Sequence, residues 1–278
     1  MTARAHRARR PAIAALRTLI AAAIVLAAIV PLYLLVKQAI TPELESFAWP
    51  PRWLPHRIIA AHLKAVVALP ELRGAILRSL GVAALCAAMA TALGAMLGYA
   101  MARSAPGRAA GFGALTAARL LPMIAVAIPL AIGLGRIGLY DSPSGLGLAM
   151  VHAALALPMA ALMVYPSFAA VPRETEEAAW LDGASPARIF VLIDLPQARG
   201  ALAAAFILSF IMSWDEFGYA LLIQVTHRTL PPLLYYYMVF GDVGPASALA
   251  LLMMIPALCV VIALRPMLRG ALMTGGLR

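Results

Sequence analysis

Six stretches of mostly apolar residues dominate this chain, at roughly 17–39, 76–101, 110–135, 146–168, 200–223 and 246–267. Each matches the ~20 residues that an α-helix needs to cross the hydrocarbon core of a bilayer. In lipid every backbone N–H and C=O must find a partner within the protein, so a span of this length is helical. The expected fold class is therefore all-α: a polytopic membrane protein with six transmembrane helices. Charged residues make up 12% of the chain, about half the ~25% of a soluble domain.

The first stretch follows a basic tail, residues 1–16, with Arg4, Arg7, Arg9 and Arg10. The apolar run Leu19–Val36 is long for a signal peptide and has no polar segment after it, so it reads as an uncleaved first span. Six spans put both termini on one side. The short outer loops then hold only Arg136 and Arg228, while the inner segments hold most of the remaining arginines. The positive-inside rule places the inner segments and both termini in the cytoplasm. The outer segment 40–75 breaks that count with Arg52, Arg57, Lys64 and Arg73. Its Trp49 and Trp53 suit an interfacial anchor, with a surface helix over 58–69.

The net charge of +10 is spread over the loop ends, with no basic helix and no interleaved aromatics, which excludes a nucleic-acid partner. Cys86 and Cys259 each sit in an apolar run and read as small hydrophobes, and no metal-ligand spacing is present. Lys37 and Lys64 are the only lysines and neither follows a glycine, so the chain has no phosphate-binding Gly-Lys-Ser/Thr loop. Any ATP spent on its work must be bound by another chain. Gly94 and Gly98 form a G-x-x-x-G pair suited to close helix contact. Prolines 122, 129, 158 and 256 suit kinked spans.

The most polar internal segment is 170–198, and it reads as a helical hairpin. Pro172 and the acidic Glu174, Glu176 and Glu177 suit a helix N-terminus. Gly183 suits a left-handed stop. Ser185-Pro186 offers a cap and first residue for a second helix carrying Ile189, Leu192 and Ile193 on one side. The residues alone also allow an amphipathic loop lying on the membrane.

The spacing goes further. Glu177-Ala178-Ala179, three residues, Gly183, nine residues, Ile193, one residue, Leu195-Pro196 resembles the EAA loop of ABC-importer permeases. The resemblance covers nearly all of the chain after residue 70. It includes Leu121-Pro122, Ile128-Pro129-Leu130, Gly138-Leu139-Tyr140-Asp141-Ser142, Trp214-Asp215-Glu216-Phe217 and Thr229-Leu230-Pro231. Together these are similar to the carbohydrate-uptake (maltose-transporter, binding-protein-dependent) type. Asp215 departs from that type, which mostly has asparagine there, and also occurs in polyamine and iron-type permeases. The ending Gly275-Gly276-Leu277-Arg278 departs from the family's terminal sequence, which reaches the ATPase.

The resemblance implies a type I ABC-importer permease fold, one permease domain over 17–278 with a cytoplasmic coupling loop over 170–198. It implies no catalysis by this chain. The coupling residues would be Glu177, Ala178, Ala179, Gly183, Ile193, Leu195 and Pro196. The partners would be a second, different permease chain, two ATPase subunits holding ATP and Mg, an extracytoplasmic solute-binding protein and the lipid bilayer. Trp214, Asp215 and Glu216 would lie on the solute path, or else serve as an ion pair or helix cap, since carboxylates at membrane depth must face protein or a cavity. Tyr235, Tyr236 and Tyr237 read as an interfacial belt, or as part of an outer loop reaching the binding protein. An ion-coupled secondary carrier using Asp215 and Glu216 is the alternative from a different class. It would leave the hairpin without a task.

Overall fold

The computed structural model describes residues 2–240 and 243–275. All regular structure among them is helical: α1 (Thr2–Ile40), α2 (Glu43–Ser46), α3 (Ala61–Val67), α4 (Leu72–Arg103), α5 (Ala105–Arg119), α6 (Met123–Arg136), α7 (Leu146–Ala169), α8 (Arg173–Leu181), α9 (Pro186–Ile189), a π-turn (Phe190–Asp194), α10 (Leu195–Gln197), α11 (Arg199–Trp214), α12 (Gly218–Ile223), α13 (Leu230–Val239) and α14 (Val243–Gly275). Among the described residues four helices are long and apolar enough to cross a membrane, or up to six if each of two bent pairs counts as one span.

The expectation of one domain over 17–278 meets a chain whose contacts gather in two compact units, Met1–Leu69 with Tyr237–Leu252 and Pro70–Tyr236 with Met253–Arg278. In the first unit, α1 exposes its apolar side chains from Leu16 to Leu34, as a lipid-facing helix should, and buries Ala39 near its end. The segment after it folds back on its last turns. Tyr33 and Lys37 donate to the carbonyls of Trp53 and Arg52, and the Ile59 amide donates to the Ile40 carbonyl at 2.8 Å. Trp49 and Trp53 are both exposed. The helix expected over 58–69 is the shorter α3.

The core of the second unit is α4, α7 and α11. Most of its buried residues are small, among them Cys86, Ala90, Ala153, Ala156, Ala160 and Ala205, around the larger Val164 and Phe168. Helices gain little hydrophobic drive from one another inside lipid, and small residues let their backbones approach. Gly94 and Gly98 do this against α7. A Cβ on Gly98 would lie 2.7 Å from Val164 Cγ2, and one on Gly94 would lie 2.9 Å from Ala160 Cβ.

Two of the predicted stretches are not continuous helices. The third, 110–135, is α5 and α6 joined at 93° through Leu120–Pro122. Pro122 disfavours helical backbone at Leu121 and lacks an N–H for the ladder. The fifth, 200–223, stops at Trp214 and resumes as α12 at Gly218. The two breaks adjoin, since a Cβ on Gly218 would fall 2.3 Å from Met123 Sδ.

Candidate functional site: the 170–198 hairpin and the break in the fifth stretch

The hairpin forms because its turn chemistry is local. At the end of α8 the Ala184 amide donates to the Ala179 carbonyl and the Gly183 amide to the Trp180 carbonyl, both at 2.9 Å. That paired arrangement needs a left-handed residue, and Gly183 supplies it with φ +82°. Ser185 Oγ accepts from the Arg188 amide at 3.4 Å and starts α9. The second limb then differs from expectation. Ile189 is buried and Ile193 half-buried, but Leu192 is exposed. The π-turn over Phe190–Asp194 changes the angular register, so Asp194 turns inward where a regular helix would keep Leu192.

The sequence-predicted coupling residues divide into two sets. Glu177, Ala178, Gly183 and Pro196 are exposed, while Ala179, Ile193 and Leu195 are half-buried. Trp180 and Leu181 add an exposed apolar edge. Leu195 packs on the cluster that contains Phe168 and Ala198. Of the expected C-terminal departure at 275–278, Gly275 ends α14 and 276–278 lie outside the described residues.

What sequence reasoning missed is the base of the hairpin. Arg103, the last residue of α4, places its guanidinium between the two limbs. It pairs with Glu176 of α8 and, at 3.1 Å, with Asp194 of the π-turn. It also donates to the Phe168 carbonyl at 2.9 Å and lies 5.3 Å from the Tyr99 ring centroid. Tyr99 in turn contacts Phe168 and Phe190 at centroid distances of 5.7 and 4.9 Å. Arg173 donates to the Arg103 carbonyl at 3.3 Å. Asp194 is fully buried. The one available signal was the spacer residue of the I-x-LP pattern being an aspartate.

At the other site Trp214, Asp215 and Glu216 have three different surroundings. Trp214 is buried, stacks on Phe210 at 6.1 Å and donates from Nε1 to the Met253 carbonyl at 3.0 Å. Glu216 points inward, accepting from the Tyr219 and Ala220 amides at 2.9 and 3.1 Å and so capping α12. Its Oε2 lies 3.0 Å from His152 Nε2, and His152 Nδ1 lies 2.7 Å from Ser213 Oγ. Asp215 is the exposed member of the three. His152 was legible in principle, because a histidine in one apolar stretch and a carboxylate in another both require partners.

At the opposite end of the second unit, Asp141 adopts φ +48° and joins two loops. Its carboxylate accepts from the Thr226 and His227 amides at 3.1 Å. Burial works against its charge, but the Thr226 hydroxyl and these amides outweigh burial and hold the carboxyl below its ordinary range. Gln224 Nε2 adds a bond to the Ser142 carbonyl at 3.0 Å.

Among the described residues, long apolar helices and a polar helical hairpin between α7 and α11 make the architecture of a multi-pass membrane protein. Residues 65–269 match the family of binding-protein-dependent transport system inner membrane components, and the chain belongs to that family. It is 32% identical over 230 residues to a putative ABC transporter permease protein, ORF1, of Streptomyces antibioticus, covering 81% of this chain and all of that one. It is 34% identical over 157 residues to the trehalose transport system permease protein SugB of Mycobacterium tuberculosis, covering 56% of this chain and 57% of the relative. The fold aligns with a TM-score of 0.74 at 17% identity, over 96% of this chain and 98% of the other, to a bacterial ABC transporter involved in the import of the acidic polysaccharide alginate. The chain is thus an ABC-importer permease in a multi-pass, inner-membrane family.

Proposed function

We propose that this chain forms half of the translocation path of an ATP-driven importer for a sugar or sugar-like solute, acting as one permease domain over 17–278. The 170–198 loop takes up the motion of a separate ATPase that binds ATP and Mg. A second permease chain completes the path, and an extracytoplasmic binding protein delivers solute. Both termini face the cytoplasm. The solute class is favoured by relatives named for trehalose, diacetylchitobiose and alpha-glucoside transport.

One observation carries the coupling reading. The hairpin exposes Glu177, Ala178, Trp180 and Leu181 while its base is held by ion pairs from the half-buried Arg103 to the half-buried Glu176 and the buried Asp194. A segment on the water side keeps an apolar edge uncovered when that edge meets another protein. On the path, Asp215 is the group suited to accept hydrogen bonds from solute hydroxyls, with Trp214 and Glu216 holding the break around it.

Two experiments test this. A cysteine introduced by Ala178→Cys should crosslink to the co-expressed ATPase and not to an outside reagent. Asp215→Asn should change the solute concentration for half-maximal uptake and leave assembly intact. Labelling of 172–194 from outside the cell would overturn the reading.

A further inference from the structure

The hairpin is bound to the bundle covalently at two places, and both are bends. The chain enters from α7 through the turn at Ala170–Pro172 and leaves into α11 across a 78° bend around Ala198. A bend transmits displacement poorly, because rotation about a few backbone torsions absorbs it. A load applied to the exposed edge of α8 would therefore be lost in these turns unless something braced the hairpin against the bundle.

Arg103 is placed as that brace. It belongs to α4, which is not a chain neighbour of the hairpin, and it stands 91 residues from Asp194 and 65 from Phe168. One guanidinium engages the first limb through Glu176, the second through Asp194, and the end of α7 through the Phe168 carbonyl. Its planar fork has several donors in a fixed plane, which a lysine cannot imitate. The Tyr99 ring lies against it and in turn packs on the Phe168 and Phe190 rings. Two carboxylates against one guanidinium, largely buried, cannot separate without stranding a charge, so the limbs and α4 move together. Gly98 lies little more than one turn before Arg103 and packs on Val164 and Ala161 of α7, so a displacement of the end of α4 passes directly into the tightest helix pair of the core.

We propose that Arg103 is a positioning residue for transport, the node through which hairpin displacement enters the α4–α7–α11 core. The proposal rests on the coupling reading above and adds which span receives the load.

The test uses the complete importer in proteoliposomes: both permease chains, two ATPases and the binding protein. Arg103→Lys keeps the charge without the fork. The triple variant R103M/E176Q/D194N removes all three charges at similar volume, so that a stranded carboxylate does not unfold the hairpin. Four quantities are read: the Ala178→Cys crosslink to the ATPase, ATP hydrolysis, trehalose taken up per ATP, and, in a separate sample with spin labels introduced by Met96→Cys and Arg188→Cys, the distance between α4 and the hairpin. In the triple variant the crosslink and hydrolysis should persist. Uptake per ATP should fall about tenfold, within the 5- to 150-fold that typical couplings span. The label distance, fixed in the native importer on trapping nucleotide, should change, and Arg103→Lys should lie between. Unaltered uptake per ATP, or a label distance that shifts equally in the native importer, overturns the proposal. So does loss of the crosslink together with transport, since Arg103 would then only shape the docking surface. A native hairpin that never crosslinks overturns the coupling reading and this proposal with it.

Discussion

Gly183 offers a prediction that separates backbone strain from bulk. It sits at φ +82°, and a Cβ built there meets no atom within 4 Å. A side chain at this position is therefore not excluded by space within the chain. The cost is that of holding an L-residue in left-handed backbone, roughly 1–2 kcal/mol, and less for asparagine, which tolerates that region. Since ~1.4 kcal/mol is a tenfold change in an equilibrium, Gly183→Ala should raise local opening of the turn about tenfold. Gly183→Asn should raise it less, although asparagine is the larger residue. Hydrogen exchange of the Gly183 and Ala184 amides reads this directly, because they donate to the Trp180 and Ala179 carbonyls. Uptake per ATP should follow the same order, with asparagine milder than alanine and a β-branched valine the worst. An effect that instead grows with side-chain volume would refute the reasoning and mean that Gly183 lies under a partner's surface.

Gly98→Leu should destabilise the bundle by about 1–3 kcal/mol through overpacking, whereas Gly81→Ala, with nothing within 4 Å of its Cβ, should be neutral or slightly stabilising; unfolding in mixed micelles compares them. His152→Leu removes the imidazole from Glu216 and should cost about 2–3 kcal/mol, as expected for a buried hydrogen bond to a charged group. A double-mutant cycle with Glu216→Gln should recover most of that loss. Asp141 has a depressed folded-state pKa, so its stabilisation is complete above the unfolded carboxylate value and fades as pH falls through the lower folded one. Exchange of the Thr226 and His227 amides should accelerate relative to other amides only in that acid window, and Asp141→Asn should remove the dependence.

The residues differed in how much of their setting could be read in advance. Gly183 and Ser185 act within four residues, so their roles as turn and cap follow from the local sequence. Gly94 and Gly98 announced a close contact but not its partner, because any small-residue face would have served; the fold supplies Ala160, Ala161 and Val164. The apolar runs at 110–135 and 200–223 concealed their breaks, since hydropathy averages over a window and a bend costs it nothing. The π-turn that brings Asp194 inward exposes Leu192, and regular 3.6-residue periodicity has no means of expressing that shift.

By itself the sequence determined the solvent, the helical class and the hairpin with its family spacing, because each depends on composition or on residues a turn or two apart. Only the tertiary structure decided which charges meet. A half-buried arginine favours an acidic partner, yet Glu174, Glu176, Glu177, Asp182 and Asp194 all stood in the same loop. The choice of Glu176 and Asp194 for Arg103, like that of Glu216 for His152, came from the packing of α4 and α7 with the segments that follow them. Such pairings join residues too distant in the chain for any local periodicity to record.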